Sequence, residues 1–377
     1  MHFVERQTTD MKNVLFIHNS IPEYRIAFWK ELKKRYQLSL LIIDDNIEKK
    51  IYGFDIDISE LNVLYKKDLK NKELENLVKE NEIIILPPAD NLSSFLFCEK
   101  IAYICKIYNK PFIYWTEKWE ALSCMQPLIK KIKNKIQRLM IYNLCKKSNA
   151  CIVSGTKSYA YLKNIGVIEN KINIAYDSNT SLDNEEDYSI REKYNIQSEK
   201  KIILFFGRLV NRKGCKQLIE AYIKYIYEKG NAVLLICGSG EEEDNLKALA
   251  TNNKSIIFAG KIQPKNRKKY FEQSDVFVLP SIVEKGVIEA WGLTVNEALE
   301  CGTPVIVTDA VGSGYDLINE KNGKIICSDN IIEELGKALI YTLNKEFNRN
   351  IIIEQEKKFS VNNMAIAFSD VIERILS

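Results

Sequence analysis

Short apolar runs alternate with longer amphipathic stretches along the whole chain of 377 residues. The short runs predict strands, and the amphipathic stretches predict helices. Strands are predicted at Val14–His18, Leu38–Ile43, Ile83–Leu86, Phe112–Trp115, Ala150–Val153, Ile172–Ala175, Ile202–Phe206, Val233–Cys237, Ile256–Phe258, Val276–Leu279, Val305–Val307 and Lys324–Cys327. Helices are predicted at Tyr24–Arg35, Leu69–Asn81, Ser93–Tyr108, Leu128–Cys145, Thr156–Asn164, Cys215–Glu228, Glu241–Ala250, Lys265–Gln273, Val295–Cys301 and Ile331–Asn344. Near-continuous apolar strands separated by helices are typical of parallel sheets covered on both faces.

Two series of such strands lie on either side of the polar stretch Asp177–Lys201, and they predict an α/β protein with two doubly wound domains. We predict an N-terminal domain over residues 11–180, a C-terminal domain over residues 181–355, and a helix within 356–377 that crosses back to the first domain. Ligands of such folds bind at the carboxyl ends of the strands, so we expect the site in a central cleft that both domains face. The first ten residues are polar, and we expect a disordered extension with Met11 as the natural start.

The net charge of +4 hides an uneven distribution. The segment 121–168 contains nine lysines and arginines and no acidic residue, so the rest of the chain carries a net charge of −5. The low total argues against a general nucleic-acid binder, and no recognition motif accompanies the basic segment. Within it, Leu128–Lys147 has apolar residues at near-helical spacing. Two interpretations remain open: a core helix with solvated lysines, or a helix that adheres to an anionic membrane surface.

Cysteine and histidine usage points to a reducing compartment. The nine cysteines are scattered without a Cys-x-x-Cys pair, and several, such as Cys237 and Cys327, stand in apolar runs, so we expect free thiols in the core. With only two histidines, we expect no zinc site. No apolar run is long enough to span a bilayer and the N-terminus does not read as a signal peptide, so we expect a cytoplasmic protein. Whether it is peripheral on the inner face of the cytoplasmic membrane is left open.

Two motifs carry candidate chemistry. The first, Gly207-Arg208-Leu-Val-Asn-Arg-Lys213-Gly214, follows a predicted strand and opens a helix. Glycine there lets the backbone approach a ligand, and the helix N-terminus favours anions. Arg208 and Lys213 add two cations, as a diphosphate requires; a glycine turn with solvated charges is the alternative.

The second motif is Glu289-Ala-Trp-Gly292-Leu293-Thr294-Val-Asn-Glu297. Gly292, Leu293 and Thr294 are predicted to begin a helix, whose free N–H groups can hold a phosphate. Glu297 lies one turn further, where a carboxylate can accept hydrogen bonds from the two hydroxyls of a ribose. The alternative is that Glu297 only stabilises the helix dipole.

Together the motifs resemble a known family. A Glu-x7-Glu pair before Gly302-Thr-Pro-Val, with Gly-Arg-Leu…Lys-Gly about 80 residues earlier, is similar to the retaining glycosyltransferases of family 4, which have the GT-B fold. The form Glu-Ala-Trp-Gly-Leu-Thr-Val-Asn-Glu-Ala resembles bacterial enzymes that build capsule, exopolysaccharide or O-antigen. The resemblance is specific over residues 201–325 and weaker before them.

The resemblance implies roles for single residues. Arg208 and Lys213 neutralise the nucleotide diphosphate, so no metal or other cofactor is required. Glu289 binds hydroxyls of the donor sugar. A further set contacts the rest of the donor: Gly207, Gly292, the amides of Leu293 and Thr294, Glu297 at the ribose, and Lys261 and Ile262 at the base.

The N-terminal half departs from the family in one respect. Members often carry a histidine near the donor sugar after an N-terminal strand, whereas this strand ends Trp115-Thr-Glu117. Glu117 is a candidate substitute, with a plain loop residue as the alternative. His18 is a second candidate, and Arg25 belongs to Pro22-Glu-Tyr-Arg25, which resembles the acceptor-side start of some members.

The resemblance thus implies an enzyme that transfers a sugar from a nucleotide-diphosphate-sugar to a glycan in bacterial surface polysaccharide biosynthesis, and we expect this glycan to be lipid-linked. A nucleotide-sugar epimerase of the same fold and a non-catalytic nucleotide-sugar binder remain as alternatives. The base, the sugar, the acceptor, the linkage and the oligomeric state are left open.

Overall fold

The computed structural model describes residues 11–44, 57–120, 128–179, 182 and 188–377. The chain forms two compact units. Of the described residues, the first unit comprises 11–44, 57–118, 128–179 and 361–377, and the second comprises 119, 120, 182 and 188–360.

The first unit is built on a seven-stranded parallel sheet in the order β3-β2-β1-β4-β5-β6-β7. Its strands are β1 Asn13–His18, β2 Gln37–Ile42, β3 Asn62–Tyr65, β4 Ile83–Leu86, β5 Phe112–Thr116, β6 Ala150–Val153 and β7 Ile172–Ile174. Its helices are α1 Glu23–Lys33, α2 Asn71–Glu80, α3 Leu92–Ile107, α4 Leu128–Lys147, α5 Thr156–Asn164 and, from the end of the chain, Val361–Leu376. The strand order reverses between β1 and β4, which is the switch point of a doubly wound sheet.

Aromatic side chains form the centre of the first unit's core. The ring of Phe16 on β1 lies 5.8 Å from that of Phe28 and 5.9 Å from that of Trp115. Phe368 closes this cluster, with its ring 4.8 Å from that of Phe28. The helix Val361–Leu376 is thereby part of the first unit's core, although the 180 residues that precede it belong to the second unit.

The second unit has a six-stranded parallel sheet in the order β10-β9-β8-β11-β12-β13. Its strands are β8 Lys201–Phe206, β9 Ala232–Cys237, β10 Ile256–Gly260, β11 Val276–Leu279, β12 Val305–Thr308 and β13 Gly323–Ile326. Its helices are α6 Ile190–Lys193, α7 Cys215–Tyr225, α8 Glu243–Leu249, α9 Arg267–Glu272, α10 Thr294–Glu300, α11 Gly314–Leu317, α12 Ile331–Asn344 and α13 Arg349–Glu356. The last helix of the chain, Val361–Leu376 in the first unit, is α14. Its core is mostly aliphatic, with Phe205 and Tyr222 among its buried side chains, and includes residues of the sheet and of helices α7 and α12.

The twelve predicted strands are all present, with ends that differ by one or two residues. The thirteenth, β3, was not predicted because it lies at the sheet edge with half-buried residues and has no continuous apolar run. The short helices α6 and α11 and helix α13 were also missed.

Helix α4 does not bury all of its apolar positions, as the interpretation of Leu128–Lys147 as a core helix would require. Ile132, Ile136 and Leu139 are exposed, whereas Ile141 and Leu144 in its second half are buried. Periodicity identified the apolar positions, but it did not show which of them the sheet covers.

The described cysteines are free thiols, all buried except Cys327, which is exposed although it follows an apolar run. Cys124 and residues 1–10 lie outside the described residues. Over the described ranges no helix is long and apolar enough to cross a membrane. The same ranges contain no group of three or more His, Cys, Asp or Glu side chains that could hold a metal ion.

Candidate active site

The turn after β8 places the first motif at the carboxyl end of the second sheet's central strand. Residues Asn211–Lys213 form a single 3₁₀ turn, and Gly214 then begins α7 with a φ of 72°. A Cβ at Gly214 would lie 1.9 Å from the carbonyl oxygen of Pro280, so only glycine fits beside the chain that follows β11. This contact brings Arg212 and Lys213 to the segment that leads to Glu289.

One oxygen of Glu289 receives both cations. Its Oε2 lies 2.7 Å from Nη1 of Arg212 and 2.6 Å from Nζ of Lys213. Burial alone would raise the pKa of Glu289, but the charges of Lys213 and Arg212 outweigh it and hold that pKa below its ordinary value. Glu289 is therefore ionised at neutral pH, and its Oε1 has no hydrogen-bond partner in the described part of the chain.

Backbone contacts fix the loop that carries Glu289. Its N–H donates to the carbonyl of Ala310, and its own carbonyl accepts from the N–H of Gly312. The indole of Trp119 donates to the carbonyl of Ala290 at 2.9 Å. A Cβ at Gly312 would lie 2.0 Å from that same carbonyl oxygen, so the two loops approach this closely only because residue 312 is glycine.

Helix α10 carries the rest of the second motif. Gly292 precedes it with a φ of 98°, in a space where a Cβ would lie 2.9 Å from Leu279. Leu293 is the residue before the helix and Thr294 is its first residue, so their amides have no acceptor within the helix. Glu297 is buried and pairs with Arg267 at 3.1 Å, and that guanidinium lies over the ring of Phe206 at the end of β8.

The other predicted donor residues occupy the same ends of the strands. Gly207 directly follows β8, and Arg208 is exposed, with no ion pair among the described residues. Lys261 and Ile262 follow β10, the first exposed and the second half-buried. The structure thus brings Lys213 to Glu289 and leaves Arg208 facing solvent.

The first unit has its own polar cluster, at the carboxyl ends of its strands. Arg25 on α1 is fully buried, and it makes a two-pronged ion pair with Asp177, which is also buried. A second carboxylate, Glu117 just after β5, accepts from Nη2 of Arg25 at 2.5 Å. The guanidinium lies 4.7 Å from the ring of Trp115, which covers it from the sheet side.

Two carboxylates share one guanidinium in this cluster. Although burial disfavours the charged form, Asp177 and Glu117 raise the pKa of Arg25 above its ordinary value, so it stays protonated. Burial raises the pKa of Glu117 to about 7, and the charge of Asp177 adds to this against the opposing effect of Arg25. The side chain of Glu117 remains 26% exposed, so it is the member of the cluster that a ligand could reach.

His18 lies beside this cluster as a neutral ring. Its imidazole stacks on Trp115 at 5.5 Å, and its Nδ1 lies 2.6 Å from the carbonyl oxygen of Ser20. Burial lowers the pKa of His18 to about 3, and the charge of Arg25 contributes in the same direction. The structure therefore brings the three residues together: His18 and Arg25 lie against Trp115, and Glu117 pairs with Arg25.

Sequence reasoning missed Arg212, Arg267 and Asp177. Arg212 stands next to Lys213 in the first motif, so a count of cations could have included it. Asp177 stands at the start of the stretch that was predicted as a polar linker, and only its buried contact with Arg25 distinguishes it from the other acidic residues there.

Comparisons with known proteins concern the second unit and the fold of the chain. Residues 187–359 match the family of glycosyl transferases group 1. An uncharacterized glycosyltransferase of Methanocaldococcus jannaschii is 36% identical over 162 residues, which cover 42% of this chain and 40% of the relative. A GDP-mannose-dependent monoacylated alpha-(1-6)-phosphatidylinositol monomannoside mannosyltransferase of Corynebacterium glutamicum is 29% identical over 168 residues, covering 44% of each chain. The matched segment thus spans less than half the length of these curated relatives.

The fold likeness extends over nearly the whole chain. The crystal structure of HepE from Anabaena in complex with UDP-glucose superposes with a TM-score of 0.67 at 15% identity, covering 97% of this chain and all of the other. The predicted fold class, two doubly wound parallel α/β domains of the GT-B type, is confirmed. Residues 187–359 therefore resemble the glycosyl transferases group 1 family, and the chain as a whole has the GT-B fold.

Proposed function

We propose that the protein is a retaining glycosyltransferase that takes a sugar from a nucleotide-diphosphate-sugar donor. The observation that carries this proposal is the buried carboxylate of Glu289, which Arg212 and Lys213 hold ionised at the carboxyl end of the second sheet. A fixed carboxylate beside cations is suited to a ligand with sugar hydroxyls at one end and a diphosphate at the other. The match of residues 187–359 to a family of glycosyl transferases supports the same reaction class.

The donor contacts follow the resemblance. Oε1 of Glu289 accepts hydrogen bonds from sugar hydroxyls, while Lys213 and the exposed Arg208 neutralise the diphosphate without a metal. Negative charge grows on the leaving diphosphate in the transition state, and cations fixed there lower the barrier. Glu297 binds the ribose, the amides of Leu293 and Thr294 contact the phosphates, and Lys261 and Ile262 lie at the base. Retention follows from attack on the same face as the departing phosphate.

The acceptor is proposed to be a glycan, most simply a lipid-linked one, in bacterial surface polysaccharide synthesis. The mannosyltransferase of Corynebacterium glutamicum acts, by its name, on an acylated phosphatidylinositol mannoside, which supports a lipid-linked acceptor here. His18, Arg25 and Glu117 are the acceptor-side residues of this proposal, and Glu117 is the exposed one. The protein then works in the cytoplasm as a peripheral protein of the inner membrane face, which it meets through Leu128–Lys147.

The test has two stages. Binding of UDP-, GDP- and ADP-sugars to the full-length protein first identifies the donor, and release of the nucleoside diphosphate with extracted bacterial lipids as acceptor then gives turnover. Glu289→Ala and Arg208→Ala are each expected to reduce turnover at least ~100-fold, as removal of an electrostatic stabiliser does. Glu220→Ala is a matched control, since Glu220 is a partly exposed carboxylate on α7 outside the proposed site.

Three results would contradict the proposal. Near-wild-type turnover in both variants would remove Glu289 and Arg208 from the reaction. Isomerisation of the donor sugar without any acceptor would make the protein an epimerase. Donor binding without turnover on any acceptor would make it a nucleotide-sugar binding protein.

A further inference from the structure

Two neighbouring helices of the first unit expose an unusual amount of apolar surface. Fifteen large hydrophobic side chains are exposed in the described part of the chain, and seven of them lie on α3 and α4. They are Leu92, Leu96, Tyr103, Ile107, Ile132, Ile136 and Leu139, each between 53% and 66% exposed. Scattered exposed apolar residues are normal, but a contiguous group of them marks an interaction surface.

Side-chain contacts set the register of the two helices. The amide of Gln137 donates to the carbonyl of Asp90, and Lys147 pairs with Glu99. Each contact joins a residue of α3, or of the turn before it, to one 47 or 48 positions later, so the helices run side by side in the same direction. Leu92 therefore lies level with Leu139, and Leu96 lies level with the turn of α4 that follows Leu139.

On each helix the exposed apolar residues form a single stripe. Ile132, Ile136 and Leu139 follow the i, i+4, i+7 spacing of one helix face. Leu92 and Leu96 are likewise four residues apart, and α3 buries its other face, including Phe97 and Ile101, in the unit. Helix α4 buries Ile141, Leu144 and Cys145 further along. The exposed stripes are thus additional to the face that each helix needs for folding.

Basic residues border the apolar stripe of α4. Lys133, Lys135 and Arg138 are exposed between and beside its members, and Lys146 is exposed at its end. Residues 128–147 contain no acidic side chain, and Glu99, the one acidic residue of α3, is engaged by Lys147. An apolar stripe flanked by lysine and arginine is complementary to a partner with negatively charged groups at its surface and an apolar layer beneath them.

We propose that α3 and α4 together form a membrane-docking surface, in which Ile132, Ile136, Leu139, Leu92 and Leu96 enter the acyl boundary of an anionic bilayer. The flanking cations then contact the lipid head groups, which attract basic side chains near the surface. A second copy of the chain is a poorer occupant because two such basic surfaces repel each other. The choice of a bilayer rests on the proposed function in one respect only, namely that an enzyme for a lipid-linked acceptor works at a membrane.

Vesicle binding tests the proposal without any substrate. Full-length protein is sedimented with phosphatidylcholine vesicles, alone or with about a third of phosphatidylglycerol. We expect much stronger binding to the anionic vesicles than to the neutral ones, and raised salt should lower it toward the neutral level, because salt screens the cations and leaves only the apolar insertion. The triple variant I132Q/I136Q/L139Q is expected to lower the partition coefficient at least ~30-fold, since three large apolar side chains no longer enter the bilayer.

The controls separate docking from folding and from catalysis. L249Q/Y341Q/I351Q removes three exposed apolar side chains from the second unit and is expected to bind like the wild type. L92Q/L96Q reports on α3 independently and is also expected to weaken binding. Donor binding should be unchanged in every variant. If the vesicle experiment fails, the proposed function is therefore unaffected, and if turnover is absent while vesicle binding is as expected, the docking surface is unaffected.

Other outcomes would contradict the proposed membrane-docking role of α3 and α4. Equal binding to both vesicle types, or no binding by the wild type, would refute an anionic bilayer. Self-association without vesicles that the triple variant abolishes would make the surface a contact between copies. Stronger binding to a DNA or RNA oligonucleotide than to vesicles would assign the cations to nucleic acid.

Discussion

The ammonium group of Lys213 lies 2.6 Å from Oε2 of Glu289, so the carboxylate proposed for the donor sugar is paired with the cation proposed for the diphosphate. Their charges depend on each other, because Lys213 is the largest influence that holds the pKa of the buried Glu289 down.

Lys213→Met should therefore affect both rate and pH dependence. Turnover should fall at least ~100-fold through loss of a cation at the leaving group. Without the charge of Lys213, burial should raise the pKa of Glu289. As the pH falls, the remaining activity should therefore begin to decline at a higher pH than in the wild type. Turnover measured between pH 5 and pH 8 checks both effects. Lys216→Met, an exposed position on α7, is the control and should leave rate and profile unchanged.

Glu117 should make stability depend on pH in an uncommon direction. Its pKa in the folded protein is about 7, above the ordinary 4.5, so between these values the folded state binds a proton that the unfolded state has lost. The contribution of Glu117 to the free energy of unfolding is therefore fully present below pH 4.5 and is lost as the pH rises through 7. Glu117→Gln cannot ionise, so its urea midpoint should match the wild type near pH 5 and exceed it at pH 8. An equal difference at both pH values would contradict the raised pKa.

Arg25→Met should destabilise the first unit by about 3–5 kcal/mol, because it leaves Asp177 as an uncompensated buried charge. The double variant Arg25→Met/Asp177→Asn removes both charges and should recover at least half of that loss. Urea unfolding followed by tryptophan fluorescence is a suitable measurement, since Trp115 lies against the guanidinium. If the double variant lost as much unfolding free energy as the two single variants together, the uncompensated charge of Asp177 would not explain the destabilisation.

Gly214 and Gly230 form a matched pair for backbone strain. Both have positive φ, 72° and 65°, but a Cβ at Gly214 meets the carbonyl of Pro280 whereas one at Gly230 meets nothing within 4 Å. Gly230→Ala should cost only the conformational strain, about 1–2 kcal/mol. Gly214→Ala should cost at least about 2 kcal/mol more, and it should also weaken donor binding by displacing Lys213. Thermal unfolding and donor binding of the two variants, compared side by side, check this; equal costs would contradict the steric argument.

The sequence predicts the strands well because a strand buried on both faces must be apolar at nearly every position. It singles out Glu289 and Lys213, which lie in contact in the structure, because their motif resembles that of a known family. It does not show that Arg212 rather than Arg208 contacts Glu289, since that is decided by the 3₁₀ turn Asn211–Lys213, which no propensity marks.

Tertiary contacts account for the other misses. Asp177 looks like a linker residue until α1 brings Arg25 against it. The stripe of Ile132, Ile136 and Leu139 has the spacing of a core face, yet all three side chains are exposed. Spacing along a helix gives the direction of a face but not what lies opposite it.

Phe368 packs against Phe16 and Phe28, which are synthesised some 340 residues earlier. During translation the first unit therefore emerges from the ribosome without the helix that closes its core, and it must wait with aromatic side chains uncovered. The second unit needs no such late partner, because its sheet and helices lie within one continuous segment, 188–360, apart from the short piece around Trp119. The half of the protein that is made first is completed last, and chaperone binding during synthesis should concentrate on it.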